Sequence, residues 1–276
     1  NSVVATRAAL KLGDYVITEA GFASDLGGEK FMDIVCRQAG MSPDCVVVVA
    51  SIRALMTHGG GDLADESTLT IDTLRKGLCN LDKHIENMGS YGVPIVVAIN
   101  HFAFDKQEEM DLVREHCKEM GVSVAFSDGY INGGAGAVEL AETVLQALET
   151  PKDFRFLYDL DRPVKEKIET IAKNIYGADG VTYTAAASKT IATIEADGYG
   201  NLPICIAKTQ ASLSDDSKKK GVPKDWVLNV REVRLSAGAG FIVPVCGTLT
   251  LMPGLPKVPA AMRMDLLPDG RIVGLK

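Results

Sequence analysis

Neither GxxxxGK[ST] nor GxGxxG occurs in the 276 residues, so the chain encodes no self-sufficient phosphate cradle of the P-loop or dinucleotide-binding kind. A GxSxG turn and an HExxH pair are also missing, which removes the nucleophile elbow and the helical zinc site. The six cysteines, Cys36, Cys45, Cys79, Cys117, Cys205 and Cys246, stand singly, with no CxxC and no zinc-like Cys/His spacing. They read as buried thiols of a reducing compartment, so the cytoplasm or an organelle matrix is the expected setting. No run of about 18 uncharged apolar residues is present, and no membrane span is expected. Basic charge is scarce too: 29 Lys+Arg against 36 Asp+Glu, a net charge of −7, argues against a nucleic-acid groove.

What is present is an alternation of short β-branched runs with helical patterns, the mark of parallel βαβ units. Strands are expected at 14–18 (DYVIT), 45–51 (CVVVVAS), 94–100 (PIVVAIN) and 122–127 (VSVAFS), with helices near 28–39, 108–120 and 137–148. The four consecutive valines imply a strand buried on both faces. Ile71, Leu74, Leu78, Leu81, Ile85 and Met88 recur at alternating spacings of three and four, which predicts one long amphipathic helix that Gly89 stops.

The charge changes sign along the chain. Residues 1–150 hold 11 Lys+Arg and 22 Asp+Glu, a balance of −11, and residues 151–276 hold 18 and 14, a balance of +4. This places a domain boundary near 150, between an α/β domain at 1–150 and a smaller α/β domain with an irregular, β-rich tail at 151–276. In the second part a helix is expected at 161–177, a strand at 181–184, a helix at 185–196, a strand at 202–209, strands from Trp226 onward, and a hairpin around PDGR at 268–271. The opening residues carry a helical pattern, and the chain reads as a piece of a longer protein.

In open parallel sheets ligands bind outside the carboxyl ends of the strands. Four strand-end segments carry unusual residues. TEAGFASDLGGEKF holds Glu19, Gly21 and Phe22, a ring between two small neighbours. IRALMTHGGGD supplies Arg53 and His58 ahead of three glycines, a candidate anion-binding or loop-ordering pair. NHFAFDKQEE presents Asn100, Ala103 and Phe104, and SDGYINGGAG presents Tyr130. Phe22, Phe104 and Tyr130 on neighbouring strand ends would form a slot for a planar heterocycle, with Asn100 hydrogen-bonding its edge. Taken alone, each such ring is more often core than ligand wall.

VVASIRALMTHGG, TEAGFASDLGGEKF, GLCNLDKHIENMGSYGVPIVVAIN, LYDLDRPVKEKIETIAKNIYGADGV, GYGNLPICIAKTQASLSDD and VREVRLSAGAGFIVPVCGTLTLMPGLPKVPAA resemble, in the same order, segments of the formate–tetrahydrofolate ligases. The resemblance spans nearly the whole chain and corresponds to the carboxyl-terminal half of such an enzyme. It implies an α/β fold with part of a P-loop-NTPase-like parallel sheet, and a reaction in which formate attacks the γ-phosphate of ATP and the resulting formyl phosphate transfers its formyl group to tetrahydrofolate. Mg²⁺ is implied as cofactor, as are a monovalent cation, a homotetramer and an amino-terminal half bearing the P-loop. By position, Phe22 matches the family's stacking aromatic, Ala103 stands where many members have proline against the pterin, Tyr130 falls where many have tryptophan, and Met56 replaces a usual lysine. The alternative implied by the missing P-loop is a non-catalytic folate-binding or assembly domain. A nicotinamide oxidoreductase fits the parallel sheet but lacks its fingerprint glycines.

Overall fold

The computed structural model describes residues 2–247 and 257–274. It opens on α1 (Ser2–Leu12), none of whose side chains is buried. The Arg7 guanidinium donates to the Ala39 carbonyl at 2.8 Å. Residues 14–18, expected as a strand, form none, and Tyr15 and Ile17 are exposed. Alternating β-branched residues supply only a side-chain preference; a strand also needs a neighbour's backbone donors and acceptors. Residues 24–39 form the expected helix four residues early and wind it in π turns, Ser24–Gly28 and Phe31–Cys36, before α2 (Arg37–Ala39). Gly40, at φ 63°, ends it as a left-handed cap.

Three parallel strands follow in the order β1 (Val46–Ala50), β2 (Ile95–Asn100), β3 (Ser123–Ser127), with Val48 opposite Val97 and Ala98 opposite Ala125. The central strand is buried from Val96 to Ile99. Burial on both faces fails for β1, where Val47 and Val49 are 39% and 67% exposed. Successive strand side chains point to opposite faces, and among the described residues one face of this edge strand is left uncovered.

Arg53 and His58, expected on a loop, lie instead on α3 (Ile52–His58), a helix that forms because Ile52, Leu55 and Met56 bury one face. Met56 is 2% exposed and is a core residue. The long helix is α4 (Ile71–Gly89), opened by a reciprocal Thr70–Thr73 capping box and buried along Leu74, Leu78, Leu81, Ile85 and Met88. It lies so close to α3 that a Cβ on Gly77 would sit 1.8 Å from the Leu55 carbonyl oxygen, and one on Gly59 would sit 1.8 Å from that of Thr73. Cys79, on the same helix, is exposed rather than buried because it points away from this contact stripe, whereas Cys36, Cys117 and Cys246 are buried as expected. α5 (Gln107–Glu119), α6 (Gly129–Asn132) and α7 (Val138–Leu148) complete this part.

Beyond residue 150 come α8 (Val164–Asn174), β4 (Gly180–Tyr183), α9 (Ala185–Ala196), β5 (Val227–Ser236) and β6 (Phe241–Cys246). β4 runs parallel to β5, and β5 pairs antiparallel with β6. The expected strand at 202–209 is reduced to two isolated bridges to β6, at Ile204 and Ala207. Pro203 and Pro244 lack the amide hydrogens a continuous ladder would need. The expected hairpin is present as β7 (Asp265–Leu266) and β8 (Ile272–Val273), whereas most of the proline-rich stretch 251–261 lies outside the described residues. The fold is thus mixed α/β with a parallel sheet. One core joins Met88, Tyr91 and Val93 to Ile168, Ile171, Leu228 and Ile242; the other joins α3 and α4 to Val97, Ile99 and Val113. No helix among the described residues is long and apolar enough to cross a membrane.

Candidate functional site

The carboxyl ends of β2 and β3 lie side by side, with Asn100 opposite Ser127, and the loops leaving them carry the expected residues. After β2 the chain makes a closed turn: the Phe102 amide donates to Asp105 Oδ2 at 2.8 Å and the Asp105 amide donates to the Phe102 carbonyl at 2.9 Å. Ala103 is exposed at its tip, and the rings of Phe102 and Phe104 run parallel with centroids 5.4 Å apart. Arg53 reaches this loop from α3. Its guanidinium carbon lies 3.8 Å from the Phe104 ring centroid while one nitrogen donates to Glu66 at 3.1 Å. The positive charge is thereby held over an aromatic face. Burial raises the Asp105 carboxyl, against the Phe102 amide and the charges of His101 and Arg53, which lower it.

After β3, Asp128 donates its amide to the Gly136 carbonyl at 2.9 Å and engages Asn132 through Oδ2. Gly136 is required there, because a Cβ would sit 2.3 Å from the Asp128 carbonyl oxygen. Tyr130, on α6, is 92% exposed. Phe22 is 82% exposed and holds φ at 62°, the left-handed region that a bulky residue adopts only under constraint. The constraint is visible: the Gly27 amide donates to the Gly21 carbonyl at 2.9 Å, and a Cβ on Gly27 would fall 1.9 Å from that oxygen. Glu19 and Gly21 are exposed on the approach to this turn.

Phe22 therefore does not fold into the core. Among the described residues the paired rings are Phe102 with Phe104 and Phe154 with Phe156, so Phe22, Phe104 and Tyr130 do not stack on one another. Arg53 and Phe104 are brought together, and the β2 and β3 loops are adjacent. His58 is placed elsewhere: its Nδ1 accepts the Gly221 amide at 3.2 Å, and burial, helped by His84 and Lys220, lowers its pKa to about 4. A neutral ring accepting a backbone donor orders a loop and offers no charge to an anion.

Beneath Phe22 the π-helical segment buries charge. Asp25, Glu29 and Asp33 are at most 4% exposed. Lys208 Nζ donates to Asp25 Oδ2 at 2.6 Å and to the Ser212 carbonyl at 2.6 Å. Asp33 accepts from the Tyr91 hydroxyl at 2.7 Å and the Leu157 amide at 3.0 Å, and burial raises its carboxyl. Ser24 Oγ meets His84 Nδ1 at 2.6 Å and accepts from Asn87 at 3.1 Å. Burial lifts Glu29 to about 7 despite the charge of Lys30, and its Oε1 has no partner. π turns recur at functional sites because the extra residue per turn re-aims side chains. The spacing 25, 29, 33 marks one helical stripe, but an acidic stripe reads as a solvated face, so sequence reasoning missed the network. The lysine within CIAKT was the signal that a buried partner existed.

Among the described residues no three His, Cys, Asp or Glu side chains are grouped around a common point, and the sequence has no phosphate loop. A family model described as formate–tetrahydrofolate ligase matches residues 1–276. The chain belongs to the formate–tetrahydrofolate ligase family.

Proposed function

We propose that this chain supplies the tetrahydrofolate-facing part of a formate–tetrahydrofolate ligase, with Phe22, Ala103, Phe104 and Tyr130 as walls of a pterin and adenine slot and Glu19, Gly21 and Asn100 at its edges. The observation that carries the reading is the exposure of Phe22, Phe104 and Tyr130, at 82%, 51% and 92%, on segments whose backbones are otherwise tightly fixed. Large rings held in water on rigid turns contribute nothing to the core and suit a flat ligand that would cover them. Arg53, over Phe104, adds a fixed positive charge beside that surface.

In this reading ATP and formate react on residues outside this sequence, where a P-loop and Mg²⁺ would handle the phosphates, and the chain works with that amino-terminal half inside a homo-oligomer. The division at residue 150 then separates a slot-bearing α/β part from a smaller part that braces it through Lys208. The test is calorimetry with tetrahydrofolate on the chain as it stands, followed by formate-dependent ADP formation once an amino-terminal half is added. Binding that Phe22→Ala weakens by about 1–3 kcal/mol, a range typical of base–aromatic stacking, supports the reading. Absence of binding by the unaltered chain rejects the slot.

A further inference from the structure

The residue following each of the two adjacent strands is ionisable. His101 follows β2 and Asp128 follows β3, with imidazole Nδ1 and carboxylate Oδ1 3.6 Å apart. The sheet sets this pairing, because the His101 amide donates to the Ser127 carbonyl at 3.0 Å and extends the β2–β3 ladder by one residue. The carboxylate is anchored as well, through the bond of Oδ2 to Asn132 and the bond of its own amide to Gly136. Oδ1 is buried and has no hydrogen-bond partner. A buried carboxylate oxygen left unpaired carries a desolvation cost that a nearby donor would relieve, and 3.6 Å is just beyond hydrogen-bond length.

Asp105, from the loop that follows His101, also lies near enough to interact with the imidazole, and Glu109 and Arg53 act on that carboxyl in turn. Two carboxylates around one histidine invite comparison with a metal site, but the described residues include no metal-holding group of three. The arrangement suits a dyad instead. A carboxylate fixes which ring nitrogen carries the proton, and the other nitrogen becomes an acceptor of defined direction. Pairs of this kind are often long without ligand and tighten when it binds.

We propose that His101 and Asp128 form a recognition dyad for a proton-bearing ring edge of the planar ligand: His101 Nδ1–H donates a hydrogen bond to Asp128 Oδ1, and Nε2 accepts one from a ring N–H. His101 is then a binding residue and Asp128 a positioning residue. Closure of the 3.6 Å gap draws the loop of Ala103 and Phe104 toward the helix of Tyr130, so recognition of the edge and coverage of the face are coupled. The inference rests on the folate reading of the slot.

Calorimetry with tetrahydrofolate on the unaltered chain and on His101→Phe, His101→Gln and Asp128→Asn tests it, together with ¹⁵N NMR of the imidazoles with and without ligand. The expected result is binding roughly tenfold weaker in His101→Phe, as for loss of one buried hydrogen bond, with partial recovery in His101→Gln, whose amide oxygen can replace Nε2 as acceptor. Asp128→Asn weakens binding severalfold, and the liganded His101 ring shows the Nδ1–H tautomer. That NMR readout on the unaltered chain decides the matter even where a variant fails to fold. Unaltered affinity in folded variants, or an Nε2–H tautomer in the complex, overturns the dyad and leaves the slot standing. No binding by the unaltered chain overturns the slot reading and the dyad with it.

Discussion

Lys208 and Asp25, 183 residues apart in sequence, meet at 2.6 Å with their side chains 0% and 5% exposed. The contact ties the π-helical segment that presents Phe22 to a loop of the second part of the chain. Lys208 also donates to the carbonyls of Thr209 and Ser212 and lies 4.9 Å from the Tyr176 ring centroid, so its charge is surrounded. Burial lowers the lysine's pKa while Asp25 raises it. The aspartate offsets part of what burial costs the ammonium.

Removing one partner of such a pair leaves the other as an uncompensated buried charge. Asp25→Ala is expected to cost about 3–5 kcal/mol in urea unfolding. Asp25→Leu combined with Lys208→Met should recover most of that loss, because two apolar residues of similar size leave no stranded charge. A single variant that unfolds at the wild-type midpoint would show that the ion pair carries no net weight.

Glu29 gives stability an unusual pH dependence. Burial raises its carboxyl to about 7 from the ordinary 4.5, so between those values the native chain holds a proton that the unfolded chain has released. Stability therefore falls as pH rises through that window, and the full loss, about 3 kcal/mol, is present above it. Glu29→Gln should be more stable than wild type at pH 8 and about equal to it at pH 4.5. The check is a set of urea melts across that range, and a parallel pH dependence in the two proteins would clear Glu29 of the effect.

His58 acts with the opposite sign. Its ring titrates at about 4 instead of the ordinary 6.5, so the unfolded chain takes up the proton first as pH falls. Stability is fully present above about 6.5 and is lost progressively down to about 4, by about 2–3 kcal/mol. His58→Asn keeps an acceptor for the Gly221 amide and removes the titration. Its melting temperature should decline less than wild type between pH 6.5 and 4.

These two groups show where sequence reading succeeds and where it stops. The stripe from Leu74 to Met88 was legible because one apolar face at helical spacing has one explanation, and the observed α4 buries it. The three parallel strands were legible from short apolar runs, rich in valine and isoleucine in β1 and β2 and holding Val124 and Phe126 in β3. Residues 14–18 are also rich in β-branched and aromatic residues and form no strand, because pairing depends on a neighbour that local sequence does not contain. Arg53 on a helix was missed for a related reason: the apolar triad of Ile52, Leu55 and Met56 is too short a pattern to outweigh the glycines after it. Buried charge was the least legible feature, since Asp25 and Glu29 look like surface residues until Lys208 and the walls around them are placed. Phe22 stood out by its small neighbours, but a lone ring is more often core than ligand wall, so the exposure of Phe22, Phe104 and Tyr130 was not legible in the sequence.

Gly77 sets two effects against each other. Alanine is favoured over glycine in a helix interior by about 1 kcal/mol, yet a Cβ at this position would lie 1.8 Å from the Leu55 carbonyl oxygen. Backbone cannot yield as a flexible side chain can, so α3 and α4 would have to separate. Gly77→Ala is expected to destabilise by about 1–3 kcal/mol net, the range of overpacked cores. A gain in melting temperature would mean that the helices part at little cost.

Phe22 offers a sharper test, because fold and function should respond in opposite directions. A side chain in the left-handed region costs about 1–2 kcal/mol, and a ring that is 82% exposed recovers little of that by burial. Phe22→Gly removes the backbone strain but adds unfolded-chain entropy, so the net expectation is a stability equal to wild type or up to about 1 kcal/mol higher. Tetrahydrofolate binding should weaken in the same variant by about 1–3 kcal/mol, the worth of one stacked ring. Chemical unfolding and calorimetry on one preparation read both quantities. A variant that loses stability as well as affinity would make Phe22 a packing residue, and one that keeps its affinity would take the ring out of the slot. The expected pair of results, strain relieved and affinity lost, is what a ring held in water for a ligand should produce.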